Sequence, residues 1–318
     1  MSRSLHHRAF AVAVGWTLLL LFLGSVVHAT GSSLACPDWP TCHGTLMPNM
    51  IGGVFWEHLH RLVAGGLVLL WLLATWLAWK PGADRPWLRW WSLVGVGLLI
   101  VQSVLGGVTV LMKLPPAVST AHLGLAFLFL SLTTVLAVRT SPRWGERGDV
   151  DRRARRSLRP LLLGVTGLVY VQSLLGALVR HTGAALACPG VPLCLGQWVP
   201  PLDQTPIALQ YFHRVVAMLV ALAVLGAAWA VLRRSQTTRM RRAALGAVGL
   251  VLLQVTLGFV AVATFLAVLP DALHTLVAAS LLAVMVSLST WSWEPDDERR
   301  DAPPTRNWSH RAQAAPGR

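Results

Sequence analysis

A chain of 318 residues is long enough for two domains, but its composition excludes most soluble architectures. Apolar residues make up 54% and charged residues only 13%, with mean hydropathy +0.58, whereas a soluble globule needs about a quarter charged residues. The formal charge of +14 raises the question of nucleic acid, which only the placement of the cations can answer.

Eight apolar runs follow one another over 9–28, 54–79, 88–112, 117–138, 160–180, 207–232, 243–265 and 271–293. Each is about 20 residues long, enough for a helix to cross about 30 Å of hydrocarbon. The first, with its basic head and Val27-His28-Ala29 end, also has the outline of a signal peptide. Of the 27 Lys and Arg residues, 23 fall in the N-terminus, 80–89, 139–159, 233–242 and 299–318. Those segments share one side if eight helices alternate. Arg61, Lys113, Arg180 and Arg214 remain on the other. Positive residues stay cytoplasmic, so both termini are expected inside, and the run 152–159 reads as an orientation signal rather than a nucleic-acid surface.

Slid against itself, the chain repeats at an offset of 152 residues. Thr30-Gly31, Leu34-Ala35-Cys36-Pro37, Pro40, Cys42 and Gly44 align with Thr182-Gly183, Leu186-Ala187-Cys188-Pro189, Pro192, Cys194 and Gly196. Gln102, Leu105-Gly106 and His122 align with Gln254, Leu257-Gly258 and His274, and one added residue brings His60-Arg61 onto His213-Arg214. A duplicated four-helix unit keeps its orientation, because four spans return the chain to the starting side. The first run has a partner in the fifth and therefore reads as a true span. The expected fold is an all-α integral membrane protein of eight transmembrane helices in two pseudo-symmetric four-helix bundles. Residues 1–138 and 160–293 form the halves, 139–159 a basic cytoplasmic linker, and 294–318 a disordered cytoplasmic tail.

The four cysteines form two equally spaced pairs, Cys36/Cys42 and Cys188/Cys194, both assigned by this topology to the outer face. That compartment favours disulfides, and the intervening prolines bend each loop enough to close one. The second pair reads as a structural staple; for the first, staple and redox roles both stay open. Two thiols without a second matching pair do not make a closed zinc site, His43 being the only nearby addition.

Of eleven histidines, four recur at matching positions near the outer third of even-numbered helices: His60, His122, His213 and His274. An ionisable group inside a bilayer is costly and faces a bundle interior. One histidine alone reads best as a packed core residue, but a pair repeated at one depth points to a ligand set. Two imidazoles from facing helices are too few for closed zinc and suit the axial positions of haem iron. Gly65-Gly66, Gly106-Gly107, Gly124, Gly176 and Gly258 leave room for a flat ring or for close helix packing. Arg61 and Arg214 follow the ligand candidates and suit either haem propionates or lipid headgroups. His58 points about 200° away from His60 around the helix and does not share its iron.

The halves differ at one informative place. Glu57 stands three residues before His60, where the second half has Gln210 before His213. A carboxylate beside one histidine pair suits proton transfer or stabilisation of positive charge, making the N-terminal half catalytic and the C-terminal half the holder of a permanent haem. The alternatives are a helix cap or an ion pair with Arg61. Asp271 reads mainly as the cap of the last helix.

Together, Cys36-Pro37-Asp38-Trp39-Pro40-Thr41-Cys42, Glu57-His58-Leu59-His60-Arg61, His122, Phe212-His213-Arg214 and His274 resemble the haem A synthase family over residues 9–293. The resemblance implies a haem-dependent membrane oxidoreductase of cytochrome oxidase maturation. It would oxidise a methyl group of haem O, the substrate, to the formyl group of haem A, with haem b as cofactor. It further implies His213 and His274 as haem b ligands, Glu57, His60 and His122 at the substrate haem, and Cys36/Cys42 as an important outer pair. Haem O synthase and an electron acceptor are the implied partners, and no nucleic acid is. One departure is His28 ahead of Ala29-Thr30-Gly31, where the family commonly carries an arginine. Rival readings are a membrane b-type electron carrier with two equal haems, a quinone-linked thiol oxidase using the cysteine pairs, and a transporter.

Overall fold

The computed structural model of the protein describes residues 2–80, 86–144, 152–235 and 237–294. Among the described residues eight helices are long and apolar enough to cross a membrane, and no strand forms. They are α1 (Ser2–Ala29), α2 (Gly52–Trp79), α3 (Pro86–Leu111), α4 (Pro116–Thr140), α5 (Arg152–His181), α6 (Thr205–Arg234), α7 (Thr238–Ala263) and α8 (Val268–Ser292). The chain is a multi-pass membrane protein. Helices suit it because a span in hydrocarbon must satisfy every backbone N–H and C=O within itself.

Two helices begin at proline, where the missing N–H costs nothing: Pro116 opens α4 and Pro206 stands in the first turn of α6. The turns after α3 and α7 are built alike. Lys113-Leu114 and Phe265-Leu266 adopt left-handed φ of 57° and 62°, and 52° and 63°. Leu114 N–H then reaches Thr109 O at 2.7 Å, and Leu266 N–H reaches Ala261 O at 2.7 Å. These bonds satisfy the last carbonyls and reverse the chain within four residues.

Three expectations need correction. The run expected to extend through 265 ends at Ala263, because Phe265 and Leu266 form that reversal. Helix α5 starts at Arg152, so the basic residues 152–159 expected in a linker are helical, with Pro160 inside. Arginine is a good helix former, and Arg159 anchors this end by donating to Ser292 O at 2.8 Å while stacking on Trp293. Asp271 caps nothing: α8 begins at Val268, and Asp271 lies in its first turn, paired with Arg180. The expected disordered tail lies outside the described residues after Glu294.

Packing joins α1–α2–α3–α4 into one closed ring and α5–α6–α7–α8 into another, with α1 and α4 meeting α5 and α8 between them. One core of Phe10, Trp71, Leu88 and Phe129 fills the first ring. The other, around Leu162, Val224, Met240 and Leu282, extends to Leu21, Phe127 and Leu130 of the first ring. Helix α8 is buried over most of its length and α3 over little of it, so α8 is central and α3 faces lipid with Trp90 and Ile100.

The two ends of the bundle differ. One carries the cysteine loops and the starts of α2, α4, α6 and α8. At the other, cations lie over indole rings: Lys80 on Trp76, Arg139 on Trp87, Arg159 on Trp293 and Arg239 on Trp291. Amphipathic aromatics paired with cations are what a membrane–water interface selects.

Candidate functional site

Each cysteine loop is closed by a disulfide, Cys36–Cys42 and Cys188–Cys194, and each tightens into a bridge, Cys42 with Thr45 and Cys194 with Gln197. An arginine from the following helix braces each loop. Arg61 donates to Asp38 O at 2.8 Å, Thr41 O at 2.7 Å and Cys36 O at 3.3 Å. Arg214 donates to Gly190 O at 2.7 Å, Leu193 O at 3.3 Å and Cys188 O. These are the same three loop positions one repeat apart. In the first loop Asp38 also accepts from the Thr41 hydroxyl and from the N–H groups of Gly44 at 2.9 Å and His43 at 2.6 Å. The Thr41 bond, then that of Gly44, hold its carboxyl down from the usual 3.8 to about 2.

Beneath the loops stand the four histidines, each in the first third of its helix, and each meets a glycine of the preceding helix. A Cβ added at Gly24 of α1 would lie 3.2 Å from Cε1 of His60, and one at Gly106 of α3 would lie 3.1 Å from that of His122. In the second ring Gly176 faces His213 at 3.0 Å and Gly258 faces His274 at 3.1 Å. Ordinary carbon contacts are about 3.5–4.0 Å, so any side chain here would push the imidazole away. His60 and His122 stand on α2 and α4 of the first ring, and His213 and His274 on α6 and α8 of the second. Nδ1 of His60, His122 and His274 is buried with no hydrogen-bond partner. Buried polar atoms are nearly always paired, so these repeated orphan nitrogens are atoms that could take a ligand. Imidazoles cleared by glycine, three of them with an unpartnered buried Nδ1, are residues that could hold a flat metallocycle.

Glu57 lies one turn before His60, and both its oxygens are engaged. One pairs with Arg61 at 2.5 Å, and the other accepts from Cys36 N–H at 2.8 Å. Gln210 occupies the matching place and donates to Ala185 O at 3.0 Å. Both side chains therefore tie a cysteine loop to the helix that carries a histidine, but only Glu57 brings a carboxylate.

The second half has an acidic group of its own, which the comparison of Glu57 with Gln210 overlooked. Asp271 stands three residues before His274 and pairs with Arg180 at 2.8 Å. Arg180 also donates to Ser25 Oγ at 2.7 Å, Ser25 O at 2.9 Å and Thr275 Oγ1 at 3.1 Å, bridging α5, α1 and α8 where the rings meet. Beside it His28 and His181 meet edge to face at 5.4 Å. The order of residues could not reveal this bridge, since its members lie 91 and 155 positions apart. His58, which the sequence only set apart from the iron of His60, lies against the first disulfide. It is buried, neither ring nitrogen has a partner, and it lies within 4.8 Å of both Cys36 and Cys42 sulfurs. With those sulfurs joined to each other, the trio offers no thiolate to a metal.

Comparison with known proteins bears on the same residues. Residues 52–286, which include all four histidines, match the COX15-CtaA family model, described as a cytochrome oxidase assembly protein. The chain is 30% identical to a heme A synthase of Shewanella oneidensis, the match covering 89% of this chain and 95% of that protein. It is 32% identical to a heme A synthase of Symbiobacterium thermophilum (84% and 89%) and 29% identical to one of Halalkalibacterium halodurans (90% and 96%). On the extent of these matches, the chain belongs to the COX15-CtaA family of cytochrome oxidase assembly proteins.

Proposed function

We propose that the protein is a haem A synthase, oxidising a methyl group of haem O to the formyl group of haem A. The observation that carries this reading is the pair of imidazoles in each ring, cleared by glycines, in a chain whose relatives bear that name. His60 and His122 would hold the substrate haem, and His213 and His274 a resident haem b. Haem iron, when bound, supplies one-electron redox chemistry tuned by its axial ligands and burial.

The chain's own residues do the rest. The glycines admit the ring and fix the imidazole edge against a helix backbone. Glu57, one turn from His60 and held by Arg61 and the Cys36 N–H, places a carboxylate where it can stabilise positive charge or accept a proton. Arg61 and Arg214 bring positive charge to the site edge, suited to propionates, while bracing the disulfide loops above. The cysteine loops would lie on the outer face and both termini inside; the cation–indole belt at the opposite end supports that orientation. Haem O synthase and an electron acceptor would be its partners.

The test is to purify the full chain, record its optical spectrum and identify extracted haems by mass. Haem b together with haem O or A is expected. Glu57→Ala should keep haem b and lose conversion; normal accumulation of haem A in that variant would refute the role of Glu57. Equal haem b in both halves, unchanged on turnover, would point to an electron carrier. Absence of haem would overturn the reading.

A further inference from the structure

The glycine facing each histidine belongs to a longer pattern. In α3, α5 and α7 a glutamine precedes it by one turn: Gln102 before Gly106, Gln172 before Gly176 and Gln254 before Gly258. Residues four apart share a helix face, so the amide and the glycine meet the same ring. Gln102 Nε2 lies 3.4 Å from His122 Nε2, and Gln254 Nε2 lies 3.1 Å from His274 Nε2. Gln172 Nε2 lies 3.0 Å from both His213 Nδ1 and His213 O. Oε1 of all three glutamines is buried and unpartnered. In α3 and α7 a half-turn of the amide would present this oxygen to an imidazole N–H and leave the other nitrogen's lone pair for a metal. A histidine so held is oriented and made more basic, as metal-bound histidines usually are.

Helix α1 repeats the glycine but not the glutamine. Leu20 stands one turn before Gly24, at the place that Gln172 occupies in α5. Among the described residues His60 has no hydrogen bond to either ring nitrogen, and its Nδ1 is buried. We propose that Leu20 makes His60 the weak ligand of the four, so that the N-terminal pair exchanges its haem while the C-terminal pair retains one. Leu20 is thus a positioning residue acting through His60. The inference rests on the haem reading above and adds to it the means by which a substrate haem can leave as product. An outer partner of a metal-bound histidine is worth about 10–100-fold in metal affinity. That range separates a ligand that exchanges from one that stays.

The test is haem release from the purified full chain, loaded with haem b and mixed with excess apomyoglobin as scavenger. Wild type should release haem in a fast and a slow phase. Leu20→Gln should slow the fast phase about 10-fold, and Gln254→Leu should quicken the slow phase by a similar factor. The second variant places a leucine in a span, which the bilayer favours, so it remains informative if Leu20→Gln fails to fold. Helical circular dichroism and the melting temperature establish folding. Haem bound normally with both phases unchanged in the folded variants would overturn the assignment of Leu20 alone. A wild type that binds no haem would overturn the haem reading, and this inference with it.

Discussion

Gly258→Ala tests whether the glycines are there to clear the histidines. The added carbon would sit 3.1 Å from Cε1 of His274. That is about 0.4–0.9 Å inside ordinary carbon–carbon contact, so the ring must retreat from α7 by a comparable distance. Overpacking on this scale costs about 1–3 kcal/mol. If the cost falls on the ligand position, haem retention should weaken roughly 5- to 150-fold. Gly249→Ala in the same helix is the control: its Cβ would meet nothing within 4 Å. Alanine there should favour the helix by about 1 kcal/mol. The assay is the haem-to-protein ratio after purification in detergent, from pyridine haemochrome spectra, with the melting temperature read in parallel. Gly258→Ala should lose haem and Gly249→Ala should not. Equal retention in both variants, or equal loss, would refute the reasoning.

Three further outcomes follow from the geometry. Arg180→Met leaves Asp271 unpaired between the rings and should cost about 3 kcal/mol of stability. Arg180→Met with Asp271→Leu should restore most of it, and melting temperatures of the single and double variants measure the coupling. The depressed carboxyl of Asp38 contributes loop stability fully above its unfolded value of 3.8, and this is lost as pH falls through about 2. Phosphine reduction of Cys36–Cys42 should therefore be slow and flat from pH 7 to 4 and quicken below, while Asp38→Asn should be fast throughout. A pH-independent wild type would contradict this. Gly95→Ala would drive a methyl into the buried Trp71 ring, which is pinned by its Nε1–H to Ser92 O at 2.9 Å. It should destabilise the first ring by about 3 kcal/mol, read as a lowered melting temperature.

Much of the molecule was legible because a bilayer imposes one-dimensional rules. A span needs a certain run of apolar residues, and a histidine inside one needs a reason; both can be counted along the chain. The eight helices, the four histidines and the two cysteine pairs were found in this way. Helix ends were less legible, because Arg152–Arg159 and Phe265-Leu266 are decided by local capping and by a distant anchor at Ser292. Gln102 and Gln254 were visible as repeats, but their purpose was not. Gln172 became comparable with them only when all three amides were seen against imidazoles.

The sequence by itself determined the class of solvent, the number of spans, the duplicated residues and the residue types able to hold a haem. Only the tertiary structure decided how Arg61 and Arg214 are used, that Asp271 joins Arg180 rather than capping α8, and which glycine clears which ring. The physical reason is distance. Solvent and ligand chemistry belong to single residues, whereas a hydrogen bond or a steric gap belongs to two groups that only the folded chain brings together. Leu20 shows both sides of that division. Its identity is plain in the chain, but its meaning depends on the imidazole that Gly24 admits one turn away.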